Sequence, residues 1–394
     1  MASPDDLPTR ECPACRATVP AAVFCGRCGS DLKAPAGFWR VLLRPKVFAA
    51  EPRHSLITPT ITGSLFPRLA EPARRPFRLA LAVLLITIVI LSALRANMPM
   101  GAVAALGGPL LFVLYMWQSD ALRELPVRAL VIAAAIGVVT AVAWWFLAGR
   151  LLASSYGVTA AGGQALMNVL AGYSLAVTAG GAVLMVLPAV AVRLVRVPVD
   201  DSLDGFVIGA FGALAHMVAA TVTWMMPQIA AGLLDPQSPL RLLRDAITYG
   251  VIDPLITVAL GGLVGLRLWF RPNPADPRHR AARAALTLCT VSAAILYLGV
   301  WTVDAMAQPE VRELAVNLIL AVLALLTIRC GVQIALLHGE PDPATGQPVL
   351  CMHCEKVVPD MAFCPSCGAA ARASSRTSRR LRSESPPERE PSAG

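Results

Sequence analysis

Two groups of four cysteines stand near the two ends of this 394-residue chain. Each group follows the pattern CxxC, nine residues, CxxC and Gly. Two thiolates that lie two residues apart can grip one metal ion, and two such pairs complete the tetrahedron that Zn²⁺ prefers in closed structural sites. The ligands predicted for two zinc ions are Cys12, Cys15, Cys25 and Cys28, and Cys351, Cys354, Cys364 and Cys367.

Disulfides are the alternative use of these cysteines. Zinc is favoured because both groups are predicted to lie in the cytoplasm, where disulfides are disfavoured. So short a segment also cannot build a core of its own, so that metal binding and folding become one event. His353 lies between two ligands, but four cysteines already complete the set, and a closed site leaves no position for catalysis. Both groups resemble the small bacterial zinc ribbons with the pattern CPxCG…FCxxCG, which implies structural or protein-contact modules.

A block of apolar runs from residue 77 to residue 338 separates the two cysteine groups. The chain is 56% hydrophobic and only 15% charged, and about 20 apolar residues in a helix cross a bilayer. We therefore predict an all-α polytopic membrane protein with about eight transmembrane helices and a small zinc ribbon at each terminus. The predicted spans are 78–95, 100–117, 127–148, 165–194, 203–230, 246–269, 284–306 and 313–338. Gly180–Gly181 and Pro188 predict a kink or break in the fourth span.

The arginines of the loops predict the orientation of this block. Loops on the side of the termini hold nine arginines against five on the opposite side, which by the positive-inside rule places both termini in the cytoplasm. The nine are Arg123, Arg128, Arg193, Arg196, Arg267, Arg271, Arg278, Arg280 and Arg283; the five are Arg95, Arg150, Arg241, Arg244 and Arg312. Composition further suggests a bacterial inner-membrane protein. Because the basic residues flank spans, nucleic acid is not an expected partner in spite of the net charge of +9.

The predicted domains are an N-terminal ribbon (1–33), a linker (34–76), the helical bundle (77–338), a C-terminal ribbon (339–370) and a disordered tail (371–394). In the linker, Gly37–Ala49 mixes apolar residues with Arg40, Arg44 and Lys46. This pattern predicts an amphipathic segment on the membrane surface with its basic side toward anionic lipid, against the alternative of a solvated linker. The prolines that follow argue against a helix there. Arg372 and the other tail arginines are candidates for contact with anionic headgroups or nucleic acid, although a solvated tail is the simpler interpretation.

Two stretches of the bundle, Val197–Leu214 and Asp253–Gly265, carry a family resemblance. They resemble the PrsW-type intramembrane metalloproteases, whose segments read DPLDGxxYGxxxGLGFAxxEN and HxxxTAxxG. The matching positions here are Asp204, Gly205, Gly209 and Ala210 in the first segment and Thr257 and Gly261 in the second.

The departures from that family fall on its chemistry. Ala220 stands where the family has a glutamate, and Asp253 stands where it has a histidine. The family's Glu-Glu pair has no counterpart, because residues 176–194 hold no carboxylate. A catalytic metal needs about three protein ligands and a water. The resemblance therefore implies a non-catalytic relative and no enzyme activity.

Several other ionisable or reactive side chains lie inside the predicted spans. His216 and Asp253 are candidates for a proton or substrate relay, since intramembrane ionisable groups are costly, but a hydrogen-bonded structural histidine is the simpler interpretation. Arg329 is expected to snorkel to the cytoplasmic face. Cys289 and Cys330 are expected to be packing residues. Close helix packing is predicted from small residues, namely Gly209, Gly212, Gly261, Gly262 and Gly265.

Three functions follow as hypotheses. The first is a non-catalytic scaffold or regulatory protein that presents two cytoplasmic ribbons to an unidentified cytoplasmic or membrane protein, with two modules giving avidity. The second is a transporter or lipid-handling protein. The third is an active PrsW-type protease. The lipid bilayer is the expected surrounding partner, and a homo-oligomer is left open.

Overall fold

The architecture is taken from a computed structural model of the whole chain. It describes residues 8–33, 37–68, 71–118, 124–156, 163–199, 201–230, 238–306, 309–340 and 348–374. Most of the predicted tail, from residue 375 onward, lies outside these residues.

Eleven α-helices occur in the described residues. They are α1 (Phe38–Leu42), α2 (Ile61–Leu65), α3 (Glu71–Ala93), α4 (Asn97–Gln118), α5 (Val127–Tyr156), α6 (Gly163–Leu194), α7 (Ser202–Ala230), α8 (Pro239–Ile247), α9 (Asp253–Trp269), α10 (His279–Ala305) and α11 (Glu310–His338). One π-helical turn, Thr248–Ile252, joins α8 to α9. Among these described helices, eight stretches are long and apolar enough to cross a membrane, α8 and α9 forming one of them. The prediction of an all-α polytopic protein with eight spans is confirmed.

The starts of two spans and the continuity of a third differ from the prediction. The first helix begins at Glu71 and continues through Pro76, within the stretch where prolines argued against a helix. The sixth span begins at Pro239, because Arg244 of α8 pairs with Glu313 of α11 at 2.8 Å and so stabilises an additional polar turn. The fourth, α6, is one uninterrupted helix that contains Pro188.

The centre of the bundle is the contact between α7 and α9. A Cβ atom added to Gly261 would lie 2.5 Å from the carbonyl oxygen of Gly209, and one added to Gly205 would lie 2.7 Å from that of Gly265. Glycines at these four positions let the two backbones touch, as predicted from the small residues. Both helices are mostly buried. Large apolar side chains of α3, α5 and α10, such as Leu79, Val139 and Leu288, are exposed as lipid contact requires.

The two ribbons are built alike. In the N-terminal ribbon (residues 8–33), β1 (Thr9–Glu11) pairs antiparallel with β2 (Thr18–Pro20). In the C-terminal ribbon (residues 348–374), β3 (Val349–Leu350) pairs with β4 (Val357–Val358). Each hairpin carries the first CxxC pair in its turn. The ribbons contact each other, so both lie at the same face of the bundle, here called the ribbon face.

Cys289 of α10 and Cys330 of α11 are free thiols, partly buried against the main core. They act as packing residues, as the sequence predicts.

Candidate metal centres

The four cysteines of the N-terminal ribbon converge on one point. Their sulfur atoms all lie within 4.8 Å of one another, with Cys12 and Cys28 separated by 3.7 Å and Cys15 and Cys25 by 3.8 Å. Sulfurs at the corners of a tetrahedron, each about 2.3 Å from a central Zn²⁺, would be about 3.8 Å apart. The four thiolates therefore fit a tetrahedral metal ion, and the sulfurs are too far apart to be disulfide-bonded.

The C-terminal ribbon repeats this geometry. Its sulfurs also lie within 4.8 Å of one another, Cys351 and Cys367 being 3.7 Å apart and Cys354 and Cys364 3.8 Å apart. The group of side chains close enough to share an ion consists of these four cysteines and does not include His353. Each ribbon can thus hold one metal ion.

Tight backbone turns hold the cysteine pairs in place. After the first CxxC of each ribbon, Arg16 and Glu355 adopt φ of 57° and 56°; after the second, Gly29 and Gly368 adopt 69° and 78°. In all four turns the amide of the residue after the second cysteine donates to the carbonyl of the first, at 2.8 Å. The left-handed conformation at the second turn is one that glycine adopts without cost, which explains the CxxCG pattern.

The two ribbons form a pair related by an approximate two-fold axis. The amide of Phe24 donates to the carbonyl of Pro365 at 3.0 Å, and the amide of Phe363 donates to the carbonyl of Gly26 at 2.9 Å. Phe24 and Phe363 are equivalent positions in the two motifs, and so are Gly26 and Pro365. Each ribbon therefore contacts the other through the same edge. The ribbons form one composite unit and not two separate modules, so avidity from independent modules is not what this arrangement offers.

Arg44 lies on the axis between the ribbons. Its guanidinium donates to the carbonyl of Gly29 and, at 2.7 Å, to that of Gly368. It also lies over the rings of Phe24 and Phe363, 5.5 Å and 5.9 Å from their centroids. Burial is the main influence on its pKa and lowers it to about 10, so Arg44 remains a cation at neutral pH.

This placement corrects part of the prediction for the segment Gly37–Ala49. Arg44 was expected to face anionic lipid, but only 6% of it is exposed and its partners are the two ribbons. Phe38 and Trp39 are exposed, in agreement with an interfacial position for the start of the segment.

The linker that joins the N-terminal ribbon to α3, described from residue 37 to residue 68 and here called the connector, is held to the bundle by polar side chains of α11. Gln333 donates to the carbonyls of Leu43 and Val47, each at 3.0 Å, and accepts from the amide of Ala49 at 2.7 Å. These contacts supply hydrogen-bond partners to backbone groups of the connector, which buried backbone requires.

Arg329 of α11 does not snorkel to the face, which corrects the prediction. It is completely buried under the connector. It donates to the carbonyl of Ser55 at 2.9 Å, lies 4.1 Å from the ring centroid of Phe48 and is 3.9 Å from a carboxylate oxygen of Glu51. A buried cation needs such partners.

A buried ionic cluster lies on the same face. Arg68 of the connector binds Asp201 and Asp204 at the start of α7 and lies 3.5 Å from Glu124. Burial alone would lower the pKa of Arg68, but the adjacent carboxylates, Asp204 foremost, more than offset this and raise it. Arg372 of the C-terminal ribbon also binds Asp201, at 2.6 Å. Arg372, grouped with the tail in the sequence analysis, thus anchors the ribbon to the bundle.

Sequence reasoning missed these arginine sites, although one signal was available. Arg329 lies inside an apolar run, and Asp201 and Asp204 stand at the start of a span. Charged side chains at such positions need partners of opposite charge or hydrogen bonds. The sequence does not reveal the partners, which come from the proline-rich connector.

Among the hydrogen bonds and ion pairs of the described residues, none links His216 to Asp253. His216 is buried in α7, and its Nδ1 lies 3.1 Å from the Thr140 hydroxyl of α5. Asp253 is the first residue of α9. The contact of His216 with Thr140 agrees with the structural interpretation of that histidine.

The residues behind the protease resemblance have structural roles. Asp204 pairs with Arg68, while Gly205, Gly209 and Gly261 bring α7 and α9 into contact. Within the described residues, the groups of three or more His, Cys, Asp and Glu side chains close enough to hold a metal are the two cysteine sets.

Compared with protein-family models, with curated proteins and with solved structures, the chain matches none of them.

Proposed function

We propose that this protein is a membrane-anchored zinc-ribbon platform whose paired ribbons contact a protein partner in the cytoplasm. The observation that carries the proposal is the construction of the ribbon face. Two four-cysteine centres, the connector, the buried arginines Arg44, Arg68 and Arg329, and the partly buried Arg372 form one unit fixed to the bundle. A closed site of four thiolates is structural, so it supports a binding surface better than it supports a reaction.

Zinc is the metal proposed for both centres, on the grounds of four thiolate ligands and tetrahedral spacing. The cytoplasmic orientation is proposed from the arginine bias of the loops, which favours the ribbon face as the inner side. The relation to PrsW-type proteases is likewise proposed, as that of a non-catalytic relative. Its basis is the set of matched positions from Asp204 to Gly261 together with the missing glutamates.

Two measurements test this proposal. Elemental analysis of the purified chain is expected to give two zinc ions; a third, retained when both ribbons carry Cys→Ser changes, would favour a metalloprotease site in the bundle. Capture of partners by the intact protein in mild detergent is expected to fail when Cys25→Ser and Cys364→Ser are combined. Undiminished capture would count against a role for the ribbons in binding.

A lipid-handling role is the second candidate, and one observation favours it. A small pocket lined by apolar side chains lies between α2, α3, α4 and α9, with Leu65, Phe66, Phe77, Phe112 and Leu255 among its lining residues. Mass spectrometry of the protein released from native membranes would test this role. A lipid retained by the native chain and lost with Leu255→Trp, which fills the pocket, would support it. Equal retention by both would exclude the pocket as its site.

A further inference from the structure

The contacts between the ribbons are reciprocal, and each depends on the other ribbon being folded. The amide of Phe24 needs the carbonyl of Pro365, and the amide of Phe363 needs that of Gly26. Each of these four residues is adjacent in sequence to a metal-ligand cysteine, Cys25 or Cys364. A ribbon of this size folds only when its metal is bound. Each ribbon can therefore make these contacts only when the other ribbon has bound its metal.

We propose that the two metal centres load as one coupled unit, and that Arg44 is the positioning residue that couples them. This inference rests on the metal binding proposed above and adds an interaction between the two sites. Arg44 is suited to this role because it touches the same element, the carbonyl of the glycine after the fourth cysteine, in both ribbons.

Charge supports the coupling. Four thiolates outweigh the charge of one Zn²⁺, so each loaded centre is an anion at the end of a short loop. The guanidinium of Arg44 is buried between the two ribbons, and the charges of the equivalent ligands Cys28 and Cys367 both favour its cationic form. Each loaded centre therefore helps to stabilise the cation that the other centre also uses.

Emptying one centre should accordingly weaken the other. When the N-terminal ribbon unfolds, Arg44 loses the carbonyl of Gly29 and the ring of Phe24, and its charge remains buried against a single ribbon. A buried cation deprived of part of its hydrogen bonding is costly. Folding of the remaining ribbon around its metal then also buries an arginine that lacks some of its hydrogen bonds. The affinity of the remaining centre for metal therefore falls.

The experiment uses the full chain in lipid nanodiscs, stripped of metal and titrated with Co²⁺, whose thiolate complexes absorb strongly, followed by Zn²⁺ competition. Cys12→Ser with Cys15→Ser leaves the C-terminal centre, and Cys351→Ser with Cys354→Ser leaves the N-terminal one. We expect each isolated centre to bind Zn²⁺ more weakly than it does in the native chain, by a factor in the range of about 5 to 150 that is typical of coupled sites.

Arg44→Ala identifies the coupling residue. In that background, removing one centre should change the affinity of the other much less than it does in the native chain. Arg27→Ala is the matched control, because it removes an exposed arginine next to Cys28 and should leave the full coupling. Arg44→Lys, which keeps the charge without the two-carbonyl fork, should restore the coupling only in part.

The outcomes are separable. Two metal ions bound with affinities unchanged by loss of either centre would overturn the coupling while leaving the metal sites intact. A coupling that survives Arg44→Ala would overturn the role of Arg44. No metal bound by any variant would contradict the proposed function as well. If Arg44→Ala fails to fold, the two Cys→Ser chains alone still decide whether the centres are coupled.

Discussion

Arg68 of the connector and Asp204 of α7 form an ion pair that is buried at the ribbon face of the bundle, with side chains 3% and 5% exposed. The pair fixes a proline-rich segment outside the membrane to the first turn of α7, one of the two mostly buried helices. It also gives a structural role to Asp204, one of the positions that match the protease segments.

Arg68→Ala should destabilise the protein by about 3–5 kcal/mol, because it leaves Asp201 and Asp204 buried without their main cation. Thermal unfolding in detergent, followed by tryptophan fluorescence, measures the loss. Arg53→Ala is the matched control, since it removes an exposed arginine from the same connector and should change the midpoint little. Equal effects of the two substitutions would show that the ion cluster adds nothing to stability.

Gly261→Ala should disrupt the contact of α7 with α9, because the new methyl carbon would lie 2.5 Å from the carbonyl oxygen of Gly209 and the two backbones would have to separate. Gly299→Ala is the control: its nearest neighbour, a Leu320 methyl, would be 3.7 Å away, an ordinary contact. Yield of monodisperse protein and its unfolding temperature should fall for the first substitution only. A well-folded Gly261→Ala protein would contradict the close packing.

The sequence is informative wherever a feature is local along the chain. The ligand sets of Cys12 and Cys351 are contained within short segments, and span lengths follow from apolar runs, so both could be predicted. The junction of the ribbons could not. Arg44 donates to carbonyls 15 residues before it and 324 residues after it, and its segment has the composition of an interfacial helix. Burial of that arginine depends on three-dimensional proximity that no local pattern records.

The same limit explains Arg329 and Arg68. Each is an arginine whose compensation comes from a distant part of the chain: Ser55 and Glu51 for the first, Asp201 and Asp204 for the second. Snorkelling was the natural prediction for an arginine near the end of a span. It was wrong because the connector covers that end and supplies the partners that water or headgroups would have supplied.

Gln333→Leu should release the connector from α11. The substitution leaves the carbonyl of Leu43 and the amide of Ala49 without the side chain that pairs with them, and leaves the carbonyl of Val47 with a 3.4 Å bond from Arg44. The cost is about 1–3 kcal/mol for each buried group that loses its partner. Hydrogen exchange should rise in residues 43–49 and stay unchanged in α7 and α9. Thr327→Ala, on the same helix, removes only a bond to the carbonyl of Leu323 and should leave exchange in the connector unaltered. Unchanged exchange after Gln333→Leu would contradict the docking.

The contact of Asp276 with His338 makes part of the stability depend on pH. Burial alone would raise the pKa of Asp276, but its hydrogen bond from the ring of His338, 2.5 Å long, and one from the amide of Arg278 outweigh burial and lower it. A carboxylate whose pKa is lower in the folded state contributes stability above its unfolded pKa of about 4 and loses it as the pH falls through the folded value. Asp276→Asn should therefore flatten the fall in unfolding temperature between about pH 5 and pH 3. The same slope in both proteins would show that Asp276 makes no contribution.

Removal of metal should unfold the two ribbons and leave the helical bundle folded. The ribbons depend on metal for their fold, whereas the spans depend on apolar burial and internal backbone hydrogen bonds. A strong chelator should therefore release zinc and increase protease cleavage within residues 8–33 and 348–374. Helical circular dichroism, which comes almost entirely from the spans, should change little. Restoring Zn²⁺ should restore protection, and Mg²⁺ should not, because Mg²⁺ takes oxygen ligands. Ribbons that stay protected after complete loss of zinc would contradict a structural role for the metal.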